Sequence, residues 1–336
     1  MSAFSSTAYL LVSHGSQDPR PGQAMERLTQ FVRGAVSHPQ ELAPRRLQPT
    51  PGSTAAWELD DRRTNLNGPG SRSSRVKLPQ APLPLSLDSR AGADDSDWGS
   101  AATAPLVGTA CLEAGEWPLH QQILEFGRRA GAMGVQTIQI VPLFLLQGVH
   151  VMRDIPAEVR LAQPALPKLA LNICPHLGSH PGLAGLLRQK WQTSPQPGPA
   201  QSLVVLAHGS RQPRGNDSTY ALAKALGGTA AFWTMTPGLE SQMIHLIQAG
   251  LSQLTILPYF LFTGRTTDAI IQATEELAER FSGINLRLLP PLGPSVDLAN
   301  LVIDLALNRI PGRGQQAAVP MKRLAFRHPV RSSMVS

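Results

Sequence analysis

The stretch from Leu11 to Arg20, LVSHGSQDPR, returns near the middle of the chain as LAHGSRQPR from Leu206 to Arg214. In both copies an apolar run, Ala8 to Val12 and Leu203 to Ala207, leads directly into His-Gly-Ser and then a proline-bearing loop. Such a run lacks the polar alternation of a half-exposed strand, so it reads as a parallel strand covered on both faces. Each copy therefore delivers a histidine to the carboxyl end of a buried strand, which is where open α/β sheets bind ligands.

Two further blocks recur in the same order. Gly108-Thr109-Ala110-Cys111-Leu112-Glu113 answers Gly228-Thr229-Ala230-Ala231-Phe232-Trp233, and Val141-Pro142-Leu143-Phe144-Leu145-Leu146-Gln147-Gly148 answers Leu257-Pro258-Tyr259-Phe260-Leu261-Phe262-Thr263-Gly264. Helical patterns at 118–131, 154–163, 239–250 and 267–281 alternate with strand patterns at 136–146 and 254–262. The expected fold class is α/β: two tandem, duplicated parallel-sheet units with a cleft between them, packed as an internal pseudo-dimer.

The units are expected at 1–192 and 202–311, joined by a Pro/Gln/Gly linker at 193–201 and followed by a basic tail at 312–336. Residues 39–105 lose apolar periodicity and fill with Pro, Ser, Arg, Asp and Gly, as a disordered insertion would. The formal charge of +7 is no nucleic-acid signature, because Arg313, Lys322, Arg323, Arg327 and Arg331 crowd into a tail with no acid. No apolar run is long enough to span a bilayer. The first strand begins near Ala8, leaving no room for a leader ahead of it, so the expected address is cytoplasmic. Cys111 and Cys174 have no metal-thiolate spacing and are expected as small buried residues.

The second strand of the first unit ends in Gly148-Val149-His150-Val151-Met152-Arg153-Asp154-Ile155-Pro156. A second histidine thus sits beyond a strand end and can converge with His14, while Glu113 closes the intervening block. Two imidazoles and a carboxylate suit a divalent first-row metal without thiolate, and the same groups accept protons near neutral pH. In the second unit the matching positions are Thr266 for His150 and Trp233 for Glu113, so that unit reads as a copy that lost its site. Arg20, Arg153, Arg211, Arg214 and Arg265 fall in loops after strand ends and together fit an acidic ligand. His38, His120, His176, His180, His245 and His328 are expected in surface or capping roles.

These motifs, His14-Gly15-Ser16, the Pro142-Leu143-Phe144-Leu145 strand, Gly148-x-His150, Asp154-Ile155-Pro156 and the degenerate repeat at His208-Gly209-Ser210, resemble the class II chelatases. The similarity is to sirohydrochlorin chelatases of the CbiX/SirB type, in the long fused form of cyanobacterial type. The resemblance implies a lyase that inserts a divalent metal, Fe2+ favoured over Co2+, into sirohydrochlorin with release of two protons, supplying sirohaem. It implies His14 and His150 as metal ligands and proton acceptors, with Glu113 assisting. Ser16, Arg20, Glu113, Leu145, Leu146, Gln147, Gly148 and Val149 are implied as substrate-binding residues. It also implies no permanently bound cofactor, with metal and tetrapyrrole as the small-molecule partners, and neither nucleic acid nor membrane. A chain holding both halves is expected to be a monomer. The rival readings are the cobaltochelatase of cobalamin synthesis and a non-catalytic tetrapyrrole or metal carrier.

Overall fold

A computed structural model describes residues 7–37, 105–193 and 201–309. The expected insertion, almost all of the linker and the basic tail, with His38 and His328, lie outside the described residues.

The first unit runs β1 (Thr7–Ser13), α1 (Pro19–Ser37), β2 (Val107–Cys111), α2 (Leu119–Ala132), β3 (Thr137–Pro142), a π-helical turn (His150–Asp154), α3 (Ile155–Ala162), β4 (Ala170–Ile173) and α4 (Gly182–Gln192). The second runs β5 (Gln201–Ala207), α5 (Asp217–Ala225), β6 (Thr229–Phe232), α6 (Leu239–Gln248), β7 (Gln253–Tyr259), α7 (Arg265–Arg280), β8 (Asn285–Leu288) and α8 (Val296–Ala306). Both sheets are four-stranded and parallel, in the orders β2-β1-β3-β4 and β6-β5-β7-β8. In each unit the chain leaves its first strand toward one edge and later returns to the other side of it. The crevice of each sheet therefore opens beside the carboxyl ends of the two central strands.

β1 is buried on both faces. Ala8, Leu10 and Val12 pack with Leu119, Ile123 and Phe126 of α2 and Ile155 and Val159 of α3. Tyr9 and Leu11 face the other way, onto Met25, Leu28 and Val32 of α1. Two covered faces explain the unbroken apolar run. The expected strand at 136–146 stops at Pro142, because Leu143 to Val149 turns away to form the cleft wall and enter the π turn.

The last helix of each unit covers the sheet of the other. Leu298, Ala299, Val302, Ile303, Leu305 and Ala306 of α8 complete the core of the first sheet beside α1. Leu183 and Leu187 of α4 pack with Leu203, Val205, Tyr259 and Leu222 of the second unit. Removing α8 would expose Leu298, Val302, Ile303 and Leu305, at about 1.5–3 kcal/mol each, a sum comparable to the whole stability of a domain. The two units are thus tied together by exchanged helices as well as by the connecting segment.

At this exchange His180 is buried against expectation, its side chain 3% exposed, with Nε2 3.7 Å from Asp304 of α8. Its capping role is as expected: Nδ1 accepts the Gly182 N–H at 2.9 Å at the start of α4. Cys174 is buried as anticipated, whereas Cys111 is only half-buried, with Sγ beside Gln122.

Candidate metal centre and its cleft

His14 is the first residue after β1, Glu113 the second after β2, and His150 opens the π turn that follows β3. Because β2, β1 and β3 are neighbours, their carboxyl ends bring the three side chains together. One donor atom from each lies within 4.8 Å of the others. His14 Nε2 is 3.8 Å from Glu113 Oε2, and the two imidazoles meet edge to face with centroids 4.9 Å apart. Donors around a four-coordinate ion with bonds of about 2.1 Å sit about 3.4 Å apart. Small side-chain movements would close this open cup on an ion.

Stability does not account for the cluster. The His14 and Glu113 side chains are 53% and 56% exposed, and exposed ion pairs contribute only about 0–1 kcal/mol. His150 is more firmly held, with Nδ1 2.8 Å from Asp154 Oδ2. A carboxylate only accepts, so Nδ1 carries the proton and Nε2 keeps its lone pair for an electrophile. The π turn, itself a feature enriched at functional sites, carries both partners. Asp154 had appeared only as part of a motif; its fourth-residue spacing from His150 in a helical segment was the available signal.

Gly15 sets the His14 turn. Its φ is +92°, and a Cβ there would lie 1.8 Å from the Glu113 carbonyl oxygen, so a side chain would push β2 and its glutamate away. The Glu113 N–H also donates to the His14 carbonyl at 2.8 Å. The candidate ligands and the turn that displays them are therefore built as one piece.

The second unit repeats this backbone. Gly209 has φ +94°, and the Thr234 N–H donates to the His208 carbonyl at 3.1 Å. This corrects the expected correspondence: Glu113 is matched by Thr234, not Trp233. The strands give the same answer, since Ser13 pairs with Cys111 and Ala207 with Phe232, which sets Trp233 opposite Leu112. The Gly-Thr-Ala blocks are similar in sequence but offset by one in space.

Between the units lies a cleft of about 780 Å³, within the usual range of small-molecule pockets. Its first-unit wall includes His14, Ser16, Phe144, Leu145 and Leu146, and its second-unit wall His208, Tyr259, Phe260, Phe262 and Arg265. Of the predicted substrate-binding residues, Ser16, Leu145 and Leu146 lie on the wall. Glu113 is at the metal cup. Gln147, Gly148 and Val149 continue past the cleft into the π turn, with Gln147 Nε2 3.1 Å from Met152 Sδ. Tyr259, Phe260 and Phe262 were not predicted; their place in the repeat opposite Leu143, Phe144 and Leu146 would have indicated them. Tyr259 reaches across, its hydroxyl donating to the Leu145 carbonyl at 3.4 Å, and burial pushes its phenol well above the usual value.

Arg20 is committed elsewhere. It donates to both oxygens of Asp18 and, across the unit boundary, to Asp268 of α7. The guanidinium holds the Asp18 carboxyl down to about 2 and lowers that of Asp268. Arg214 pairs locally with Asp217, Arg153 lies in the π turn, and neither Arg153 nor Arg211 lines the cleft; of the five predicted loop arginines Arg265 alone is on the cleft wall.

The CbiX family model matches residues 100–194 and 202–308. A sirohydrochlorin cobaltochelatase of Priestia megaterium is 25% identical over 162 residues, 45% of this chain and 52% of that protein. A sirohydrochlorin ferrochelatase of the same organism is 26% identical over 154 residues, 43% of this chain and 58% of the relative. The chain therefore spans about half the length of the curated relatives it matches. The solved structure of SirB from Bacillus subtilis with Fe3+ superposes with a TM-score of 0.58 at 18% identity, covering 90% of this chain and 96% of that one. At that identity the likeness establishes the fold.

Proposed function

The chain belongs to the CbiX family, and from that premise we propose that it inserts a divalent metal ion into sirohydrochlorin. The observation that carries this is the meeting of His14, Glu113 and His150 donors within 4.8 Å at the edge of a cleft walled by two units. Metal and macrocycle are both substrates. The three side chains hold the ion, His150 through the Nε2 that Asp154 leaves free. The flat ring lies between Leu145 and Leu146 on one side and Tyr259, Phe260 and Phe262 on the other, with Ser16 at its edge. Arg265 supplies a cation for a ring carboxylate, while Arg20, engaged with Asp18 and Asp268, joins the walls.

Iron is the favoured ion, which would place the product as sirohaem. The cobalt reading has its own support, a relative named as a cobaltochelatase, and imidazole and carboxylate donors accept either ion. One chain supplies both walls of the cleft, so the active form is a monomer. Among the described residues no helix is long and apolar enough to cross a membrane.

The test is anaerobic incubation of purified protein with sirohydrochlorin and Fe2+ or Co2+, following ring absorbance. Insertion faster than the uncatalysed reaction is expected with both, and the ratio of kcat/KM values ranks the metals. A rate equal to the protein-free control with each ion would exclude the chelatase reading.

A further inference from the structure

Metal insertion breaks two pyrrole N–H bonds, and the protons need an acceptor. Each imidazole that holds the ion has given it its one free lone pair, and a carboxylate bound to a cation is a poorer proton acceptor than an unengaged base, so a base elsewhere in the cleft is the better acceptor. Resting on the chelatase reading, the choice narrows by chemistry. The titratable groups on the cleft walls are His14, Glu26 and Cys111 from the first unit and His208, Tyr259 and Arg265 from the second. Tyr259 keeps its proton, because burial raises its phenol and its hydroxyl donates to Leu145. Arg265 has no lone pair to offer. Cys111 Sγ lies against Gln122, and the Glu26 carboxylate, on α1, is by nature a weaker base than an imidazole.

His208 remains. It is displayed from the second unit as His14 is from the first, just beyond a central strand and before a glycine at positive φ. Its carbonyl is fixed twice by Thr234, by the N–H at 3.1 Å and by Oγ1 at 2.9 Å. No hydrogen bond or ion pair engages its ring among the described residues, in contrast to His120 with Glu158, His150 with Asp154 and His180 with Gly182. The ring is exposed to the cleft, where partial desolvation by the walls and, to a smaller extent, the charge of His14 lower its proton affinity. An imidazole with no partner at either nitrogen has a lone pair to offer a pyrrole proton.

We propose that His208 is a catalytic base contributed by the second unit, taking the pyrrole protons from the macrocycle while the first unit presents the metal. In each step an N–H bond breaks, its electron pair stays on the pyrrole nitrogen and bonds the metal, and the proton bonds the imidazole. The imidazolium then passes the proton to water and is ready for the second. The second unit has lost its ligands but retains a proton acceptor.

The experiment compares wild type, His208→Ala and His208→Gln in two measurements: Co2+ binding without tetrapyrrole, by visible absorption, and insertion into sirohydrochlorin at saturating metal. Unchanged Co2+ binding with kcat reduced about 10²- to 10⁴-fold, partly restored in His208→Ala by added imidazole, is the expected result. An active wild type with His208→Ala turning over at the same rate would overturn the proposal and leave the chelatase reading standing. Loss of Co2+ binding in both variants would also overturn it, by assigning His208 to the metal cup. A wild type that inserts neither metal would remove the chelatase reading and the proposal with it.

Discussion

The two units share strand order, crossover pattern and a His-Gly-Ser turn with nearly the same glycine φ, +92° and +94°. Of the three side chains that meet in the first unit, the second keeps only the histidine after its first strand: Glu113 and His150 are answered by Thr234 and Thr266. Thr234 still ties down the His208 carbonyl, so there the carboxylate is gone while the turn is kept. At Thr266 the π turn of the first unit is replaced by the first turn of α7. The same turn therefore stands with or without the carboxylate beside it, and the repeat marks the fold while the departures from it mark the candidate site.

The comparison can be broken most directly at the metal cup. His14→Ala and His150→Ala should each lower insertion by at least about a hundredfold and abolish tight Co2+ binding, measured by ring absorbance and metal titration. Comparable binding in both variants would show that the first unit is not the metal-holding one. The next effect concerns the exchanged helices. Leu298→Ala in α8 should cost about 2–5 kcal/mol in chemical denaturation, and Leu187→Ala in α4 a similar amount, although each truncates a helix belonging to the opposite unit. A single shared transition is expected; two separate ones would mean the units fold independently despite the exchange. Restoring donors to the second unit, as Thr234→Glu with Thr266→His, should raise bound Co2+ from one to two per chain, and a stoichiometry still at one would show that more than two side chains separate the units.

The smallest effect is expected at the buried junction. Burial lowers the proton affinity of His180, with the Asp304 charge acting in the opposite direction. A histidine of ordinary pKa, about 6.5, binds a proton in the unfolded chain that the folded chain resists. Its contribution is therefore present above that value and is lost as pH falls below it. Asp304 is raised by burial, with His180 acting against it, so its contribution runs the other way: it is fully present below the ordinary carboxylate value and is lost as pH rises through the raised one. Stability should decline as pH drops from about 6.5 toward 5. His180→Asn, which can still cap α4, should flatten that slope; an unchanged slope would assign it to another group.

Much of this was legible in the residues. A strand covered on both faces has an unmistakable apolar run, and a histidine just past its end has few places to go but the crevice. His14, Glu113 and His150 were readable for that reason. The strand offset at Glu113 was not, because a buried parallel strand lacks the inside-outside alternation that fixes register. The amphipathic patterns of α4 and α8 show that each has a face to bury but not which sheet receives it. The pairing of Arg20 is hidden because its partner Asp268 lies far along the chain, and for His180 the prolines and glycines around it point to a surface or capping role, of which the cap is found but the burial under α8 is not foreshadowed.

The exchanged helices also bear on how the cleft is filled. A jaw opening at the segment between the units would have to peel Leu298, Val302 and Ile303 of α8 off the first sheet, at several kcal/mol, while Arg20 and Asp268 hold the far side. The molecule is closer to a fixed frame than to a hinge. A flat ring would have to slide in edge first and leave by the same slot, so turnover would depend on the rim of that slot and on the small side-chain movements that close the metal cup.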